Sequence, residues 1–451
     1  MSVQAVESKR AYSGYHVRDV PEDDWELAHT GPNTPLGEYF RKHWNPVALS
    51  SQVTELPVAV RIMGEDLVVF RDKSGNVGVL HRHCSHRGTS LEYGIPSERG
   101  IRCCYHGWLF DIDGRILETP GEPPDSKLKD SFVHGAYPAL EYKGLIFTYL
   151  GPPDEKPDFP IYDVFELPDN KLVPYSTHTP CNWLQVHENG IDPVHAVFLH
   201  GRVGEQHFNE AWLEMPTLNF RQSDKGMYYV TARRLGDMIW VRSAEMVFPN
   251  FAQTGALWEY GDRGEKLFGR VSLSRWTVPE DDTSTWFFGW RHFNDIVDPE
   301  HLGDESLCGH DSVDFVGQTG GRGYDEGQRN PGDWEAQVSQ RPIANHKMEH
   351  LGSSDVGVAM LRRLFGQAVE DKFVPRQFPG GRKADGGPIP TVSHDTVLYV
   401  PPKTDADDRE LLAEVGERVL DAIESGHEVP SAERITHIEG LLREISEAPR
   451  D

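Results

Sequence analysis

Short β-rich, largely apolar runs alternate with turns over residues 45–150: PVAVRIM (57–63), EDLVVFRD (65–72), NVGVL (76–80), IRCCYHGWLFDIDGRI (101–116) and GLIFTYL (144–150). A period of two puts successive side chains on opposite faces of a strand. Gly75-Asn76 and Asp113-Gly114 are turn pairs that close hairpins. Residues 45–150 therefore predict a small antiparallel domain. GPPDEKPDFP (151–160), with four prolines, reads as a linker.

Past the linker the period mixes. GMYYVTARRL (226–235) and TSTWFFGWRHF (283–293) read as strands, interleaved with helical stretches. Residues 302–333, rich in Gly and Asp, predict a long loop. SSDVGVAMLRRLFGQAV (353–369) shows helical spacing behind a Ser/Asp cap, and FPGGRKADGGPIP is a second loop. Two amphipathic helices, 407–424 and 431–445, close the chain. Strands and helices in blocks predict an α+β fold. The expected division is an N-terminal segment (1–44) packed on the larger domain, the small domain (45–150), the larger domain (151–402) and C-terminal helices (403–451). No repeat of 20–50 residues is visible.

The 451 residues suffice for two or three domains. Acidic residues outnumber basic ones 71 to 45, a formal charge of -26. That field repels phosphate backbones and anionic lipid, which argues against nucleic-acid or membrane partners. An anionic substrate stays open, because a local basic pocket overrides net charge. No apolar run approaches the ~20 residues of a membrane span, and the polar start does not resemble a secretory signal. The five cysteines (84, 103, 104, 181, 308) are too few and scattered for a disulfide framework. A cytoplasmic chain with reduced thiols is expected.

HRHCSHRGTSL (81–91) and CCYHGWLFDIDG (103–114) each hold a Cys/His pair: Cys84-x-His86, sixteen residues, then Cys103-x-x-His106. Two such pairs on tight loops can converge on one centre. The donor set suits structural zinc or a Rieske [2Fe–2S] cluster with two thiolates on one iron and two imidazoles on the other. Glycine follows each histidine closely (Gly88, Gly107), so that backbone amides can approach bridging sulfides, and Trp108 can exclude water. These loops resemble the ligand loops of Rieske proteins, in particular Rieske-type aromatic-ring oxygenases, except that Cys104 stands where that family usually has Pro. The resemblance implies Cys84, His86, Cys103 and His106 as ligands and Trp108 as cluster shielding. His81 and His83 are expected to face solvent or the ligands' surroundings; Cys104, Cys181 and Cys308 are expected to be reduced structural thiols.

A second constellation, Asp192-x-x-His195-x4-His200, lies in CNWLQVHENGIDPVHAVFLHG (181–201). Asp192-Pro193 predicts a helix start, with His195 in its first turn and His200 near its end. Five residues turn about 140° around a helix, so the imidazoles converge only if the helix ends or distorts at His200; Gly201 permits that. Read alone, the stretch is equally an Asp cap with two partly buried histidines. The family resemblance extends to it, and implies His195 and His200 as ligands of a mononuclear iron. It also implies Asn189 near the metal and Asp192 as the acid that bridges to the neighbouring subunit's cluster. The third ligand is expected at Asp333, in a stretch (328–358) that also resembles the family; Asp325, Glu326 and Glu335 compete. Two His and one carboxylate leave positions open on Fe(II) for dioxygen. Asp355 reads as a helix cap; His346 and His350 read as packing or surface residues.

The resemblance, over about 45–370, implies a small antiparallel β Rieske domain and a helix-grip catalytic domain, nearest the phthalate-dioxygenase-like branch. It implies a terminal oxygenase that uses O2 and electrons from NAD(P)H, delivered by a flavin/ferredoxin-type reductase, in a head-to-tail homotrimer. The expected reaction is dihydroxylation, monooxygenation or O-demethylation of a small aromatic carboxylate or aryl ether; N-demethylation is the alternative. Arg233, Arg234 and Arg291 could clamp a carboxylate but read more readily as solvated surface charges. A Rieske electron carrier leaves about 300 residues and the Asp-x-x-His-x4-His element without a role; a zinc-stabilised binding protein is the third reading.

Overall fold

Four antiparallel sheets organise the chain, and their order follows the two periodicities. The computed structural model describes residues 11–201, 210–255, 265–295, 297–298, 301, 303–312, 319–402 and 408–447. In the first third, Val58–Ile62, Glu65–Arg71, Val77–His81 and Ala136–Tyr137 form one four-stranded sheet. Ile95–Pro96, Ile101–Arg102, Leu109–Phe110 and Ile116–Glu118 form a second. Gly75 and Gly114 adopt φ of 88° and 83°, the left-handed turn geometry that glycine takes without strain. A third sheet pairs Trp44–Leu49 with Leu145–Tyr149 and the latter with Ala139–Tyr142.

The larger part is built on a nine-stranded sheet containing Lys171–Thr179, Thr217–Gln222, Gly226–Leu235, Met238–Val247, Phe251–Gly255, Lys266–Gly269, Val271–Asp281, Ser284–Phe293 and Ser393–Tyr399. Helices, in chain order, are α1 (Trp25–Ala28), α2 (Pro35–Arg41), α3 (Trp183–Asn189), α4 (His195–Leu199), α5 (Tyr324–Arg329), α6 (Asp333–Val338), α7 (Val356–Val369), α8 (Asp408–Ser425) and α9 (Arg434–Glu447). The α+β plan predicted from the blocks of strand and helix is the fold observed. Residues 302–333 are not one loop: α5 and the turn Glu305–Leu307 interrupt them, while 302 and 313–318 lie outside the described residues.

Both faces of the large sheet are covered. Tyr228, Val230, Ala232, Ile239, Val241 and Leu398 pack against the apolar stripes of α8 and α9. The opposite face, carrying Thr231, Arg233, Trp240, Arg242 and Asp395, turns toward α3 and α4. A strand buried on both sides shows no solvent-facing register, so its polar residues mark the inner face of a site. Asp163 fastens α9 to the sheet: its carboxylate takes Arg434 at 2.5 Å and Arg270 at 3.2 Å, with all three side chains buried.

The segment before residue 44 is tied to the larger part. Asn182 Nδ2 donates to the Ala28 and Asp282 carbonyls, and His29 Nδ1 lies 2.6 Å from Asp282. Across the two parts, Met63 and Gly64 amides donate to the Pro279 and Glu280 carbonyls. No helix among the described residues is long and apolar enough to cross a membrane.

Candidate metal centres

The two Cys/His loops fold to one plan. Cys84 N–H donates to the Thr89 carbonyl and Cys103 N–H to the Trp108 carbonyl, each five residues on; Gly88 and Gly107 N–H donate back to the Cys84 and Cys103 carbonyls. The two glycines sit at φ 77° and 72°, which explains glycine at both places. Their own amides close the loops, which leaves the approach to bridging sulfides to other backbone amides.

Cys84 and Cys103 are both 3% exposed, and the His86 and His106 ring centroids are 4.5 Å apart. Burial, with Cys103 alongside, pushes the Cys84 thiol up to about 11; a thiolate here requires a cation against it. His86 Nδ1 is buried with no hydrogen-bond partner. A buried imidazole nitrogen left unpaired beside two buried thiols fits an S2N2 metal centre. Trp108 stacks on His86 at 4.6 Å with 5° between the planes, and is itself buried. His81 and His83 are exposed at the margin, Cys104 is exposed, and none of the five cysteines is bonded to another.

The second site assembles on α3, α4 and α6. The helix starts later than Asp192-Pro193 suggested: α4 begins at His195, and the Asp192 carboxylate accepts from the Val194 and His195 amides. It ends after five residues, leaving His200 as its C-cap at φ −101°, ψ 0°. That early stop lets the two imidazoles face one point. A Cβ at Gly201 would approach the Val197 carbonyl oxygen to 2.9 Å, so glycine suits the stop.

Asp333 opens α6, and its Oδ1 is the focus: His200 Nε2 lies at 3.1 Å, His195 Nε2 at 3.6 Å, and Asn189 Nδ2 donates at 3.1 Å. One donor atom from each of His195, His200 and Asp333 lies within 4.8 Å of the others. His195 Nδ1 donates to the Asp192 carbonyl, which can only accept, and this bond aims Nε2 toward Asp333. Two imidazole nitrogens and one carboxylate oxygen that converge within 4.8 Å form the donor set of a mononuclear metal, and that is the observation by which the site fits one. Burial works to raise the Asp333 carboxyl; His200, His195 and Arg275 outweigh it and hold the group well below the usual carboxylate range.

The competing acids are placed elsewhere. Asp325 and Glu326 are exposed on α5, while Glu335 is paired with Arg322 and accepts from the Gly332 amide. Asp355 accepts from the Gly352 amide and makes no side-chain cap on α7. His346 lies 3.5 Å from Asp24, and His350 is exposed.

Two kinds of residue escaped the sequence reading. Gln185 on α3 donates to the Gln337 and Arg341 carbonyls at 2.8 and 2.9 Å and accepts from the Ala344 amide at 2.8 Å, fastening α3 to the segment after α6. The arginines are not surface charges: Arg233 is 1% and Arg291 6% exposed, and Arg234 is paired with Asp408. Arg242 and Arg275, not singled out before, are also buried on the inner face. The strand period carried that signal, since Leu273, Arg275 and Thr277 share one face.

Comparison with known proteins adds to this geometry. Residues 43–137 match the family model of the Rieske [2Fe-2S] domain. The chain is 46% identical over 458 residues to the tert-butanol monooxygenase / tert-amyl alcohol desaturase oxygenase subunit of Aquincola tertiaricarbonis, covering 96% of each. It is 36% identical to the phenoxybenzoate dioxygenase subunit alpha of Ectopseudomonas oleovorans, covering 82% of this chain and 90% of that one. The structure is similar to dicamba monooxygenase bound to dicamba, with a TM-score of 0.53 and 19% identity over 74% of this chain and 98% of the other, a likeness of fold.

Proposed function

The chain belongs to the Rieske non-heme iron oxygenases, as an oxygenase subunit that works with a [2Fe–2S] cluster and a mononuclear iron, and on that premise we propose how its residues divide the work. Cys84, His86, Cys103 and His106 hold the cluster, and His195, His200 and Asp333 hold the iron. When bound, these groups supply electron storage and dioxygen activation. Everything else is the chain's own contribution.

Trp108 keeps water from the His86 edge of the first site. The Asp192 carbonyl fixes the His195 tautomer so that Nε2 points inward, and Asn189 orients the Asp333 carboxylate by donating to Oδ1. The Asp192 carboxylate, one-third exposed and 3.9 Å from His195 Nδ1, is available to a histidine of a neighbouring subunit, which suits a head-to-tail homotrimer. A separate flavin/ferredoxin-type reductase supplies the electrons. The proposed boundaries are 45–150 for the cluster domain and 151–402 for the iron domain, with 1–44 packed on the latter and the C-terminal helices within 403–451. Of the sequence outside the described residues, 1–10, 403–407 and 448–451 fall in these terminal parts. The unpaired cysteines suit the cytoplasm.

The reaction we propose is hydroxylation or O-demethylation of a small aromatic carboxylate or aryl ether; its support is the phenoxybenzoate-named relative and the buried cationic inner face. A second reading, oxidation of a small branched alcohol, is favoured by the relative named for tert-butanol. The convergence of three acceptor atoms at Asp333 carries the metal assignment. It is tested by iron and acid-labile sulfide analysis of wild type and Asp333→Ala, with oxygen uptake on aromatic acids, aryl ethers, methylated amines and tert-butanol. The variant should keep its sulfide and cluster spectrum and lose mononuclear iron and turnover. Retained turnover would remove Asp333 from the ligand set.

A further inference from the structure

The inner face of the large sheet carries a polar row that the ligand assignments leave without a role. Register sets Tyr175 opposite Gly289 and Gly289 opposite Arg275, so two long side chains flank a position that has none. A Cβ at 289 would overlap the Ser274 carbonyl and come within 3.0 Å of Arg275 Cβ. The next row is Thr177, Phe287 and Thr277.

Arg275 is 9% exposed, and its guanidinium lies over the Phe287 ring at 4.2 Å. Among the described residues no carboxylate comes within ion-pair distance of it. Around it, the Tyr175 hydroxyl lies against the guanidinium, and the buried Thr177 hydroxyl and His187 Nε2 have no hydrogen-bond partner. An aromatic face attracts a guanidinium but accepts few of its five N–H groups, and Asp333, the carboxylate it acts on from beyond ion-pair distance, is already engaged by His200 and Asn189. His187 stays neutral, because burial lowers its pKa to about 3, so it adds no competing charge. The row thus offers one fixed cation and two hydroxyl donors beside buried apolar walls at Leu273 and Phe287. That set matches a single planar carboxylate on an apolar body. Arg275 also lies near enough to act on the Asp333 carboxylate, which puts the row beside the proposed iron site.

We propose that Arg275, with Tyr175 and Thr177, binds the carboxylate of the substrate and makes this oxygenase select organic acids over their neutral counterparts. The assignment rests on the oxygenase reading above and deepens it. A purely structural Arg275 that balances Asp333 would affect iron retention and treat charged and neutral ligands alike.

The test is calorimetric titration of as-isolated, cluster- and iron-loaded protein with benzoate and 4-methoxybenzoate, each against its carboxamide. Wild type should bind at least one acid at least about 30-fold more tightly than its amide, as expected for a buried, hydrogen-bonded charge pair. Arg275→Gln should bring that ratio within about threefold while amide binding is kept, and Arg275→Lys should retain part of it. If Arg275→Gln does not fold, as judged by circular dichroism and the cluster spectrum, Arg275→Lys and Tyr175→Phe carry the test. Each should then weaken the acid several-fold and leave the amide unchanged. Absence of acid preference in wild type, or its persistence in the variants, overturns the proposal. Oxygen uptake with a surrogate reductase reports separately on the oxygenase reading: acid preference without uptake on any compound would leave the anchor standing and sink that reading.

Discussion

Replacing Gln185 with leucine tests how Asp333, the proposed third donor of the iron site, is held. The side chain is 3% exposed and makes three hydrogen bonds to backbone around the end of α6. Leucine nearly fills the same volume, so the cavity contribution is small, and the loss is polar. Three bonds at about 1 kcal/mol each sum to about 3 kcal/mol, before counting the carbonyls and amide left unpaired. Of the three donors only Asp333 rides on α6, so loosening that helix moves one donor and leaves His195 and His200 in place. If half the loss falls on metal binding, iron affinity drops about tenfold; if all of it does, about 150-fold. The assay is equilibration against graded chelator, with mononuclear iron read by colorimetry and the cluster by its visible spectrum and sulfide. Cluster content should not change, because its loops lie on another sheet. A lowered melting temperature with iron affinity within about threefold of wild type would refute the idea that Gln185 positions Asp333.

Other outcomes follow from the same geometry. Cys84→Ser should bleach the cluster spectrum and lower acid-labile sulfide, with mononuclear iron retained; an unchanged spectrum would remove Cys84 from the ligand set. Asp192→Ala should keep both metals yet give at least about tenfold slower product formation from pre-reduced protein in single turnover, and wild-type rates would exclude the inter-subunit role. Asp163→Asn should cost about 3–5 kcal/mol at pH 7, since it breaks a buried charge cluster. Burial raises this carboxyl, but Arg270 and Arg434 outweigh it and hold it well below the usual range. A depressed folded-state pKa means its stabilisation is complete above about pH 4 and fades as pH falls below that. The melting-temperature gap between wild type and variant should therefore be the same at pH 7 and pH 5 and shrink near pH 3.5; a constant gap would contradict the assignment.

Much of the architecture was legible because its signals are local. Gly226–Leu235 and Ser284–Phe293 follow the strand-like runs rich in aromatic and β-branched residues, and the duplicated Cys/His loops need only glycine at the left-handed positions. Choosing Asp333 over Glu335 was a matter of resemblance; the physical reason is Arg322, which draws Glu335 away. That pairing is tertiary and leaves no mark in local pattern. The arginines were misjudged because an arginine is usually a solvated charge, whereas this sheet is covered on both faces and its polar side is buried. The start of α4 was displaced because Asp192-Pro193 has the composition of a helix entry, and the chain turns once more before the helix begins.

The distances along the chain that separate the donors of each centre differ sharply. The four sulfur and nitrogen donors proposed for the first lie between residues 84 and 106, whereas Asp333 reaches His200 across 133 positions. A newly made polypeptide can complete the first centre once its early hairpins have closed. It can complete the second only after the long sheet has been threaded through to α6, because non-local contacts form late. With these ligand sets, cluster insertion is expected to precede iron uptake, and occupancy of the second centre would report that the whole chain has been correctly built.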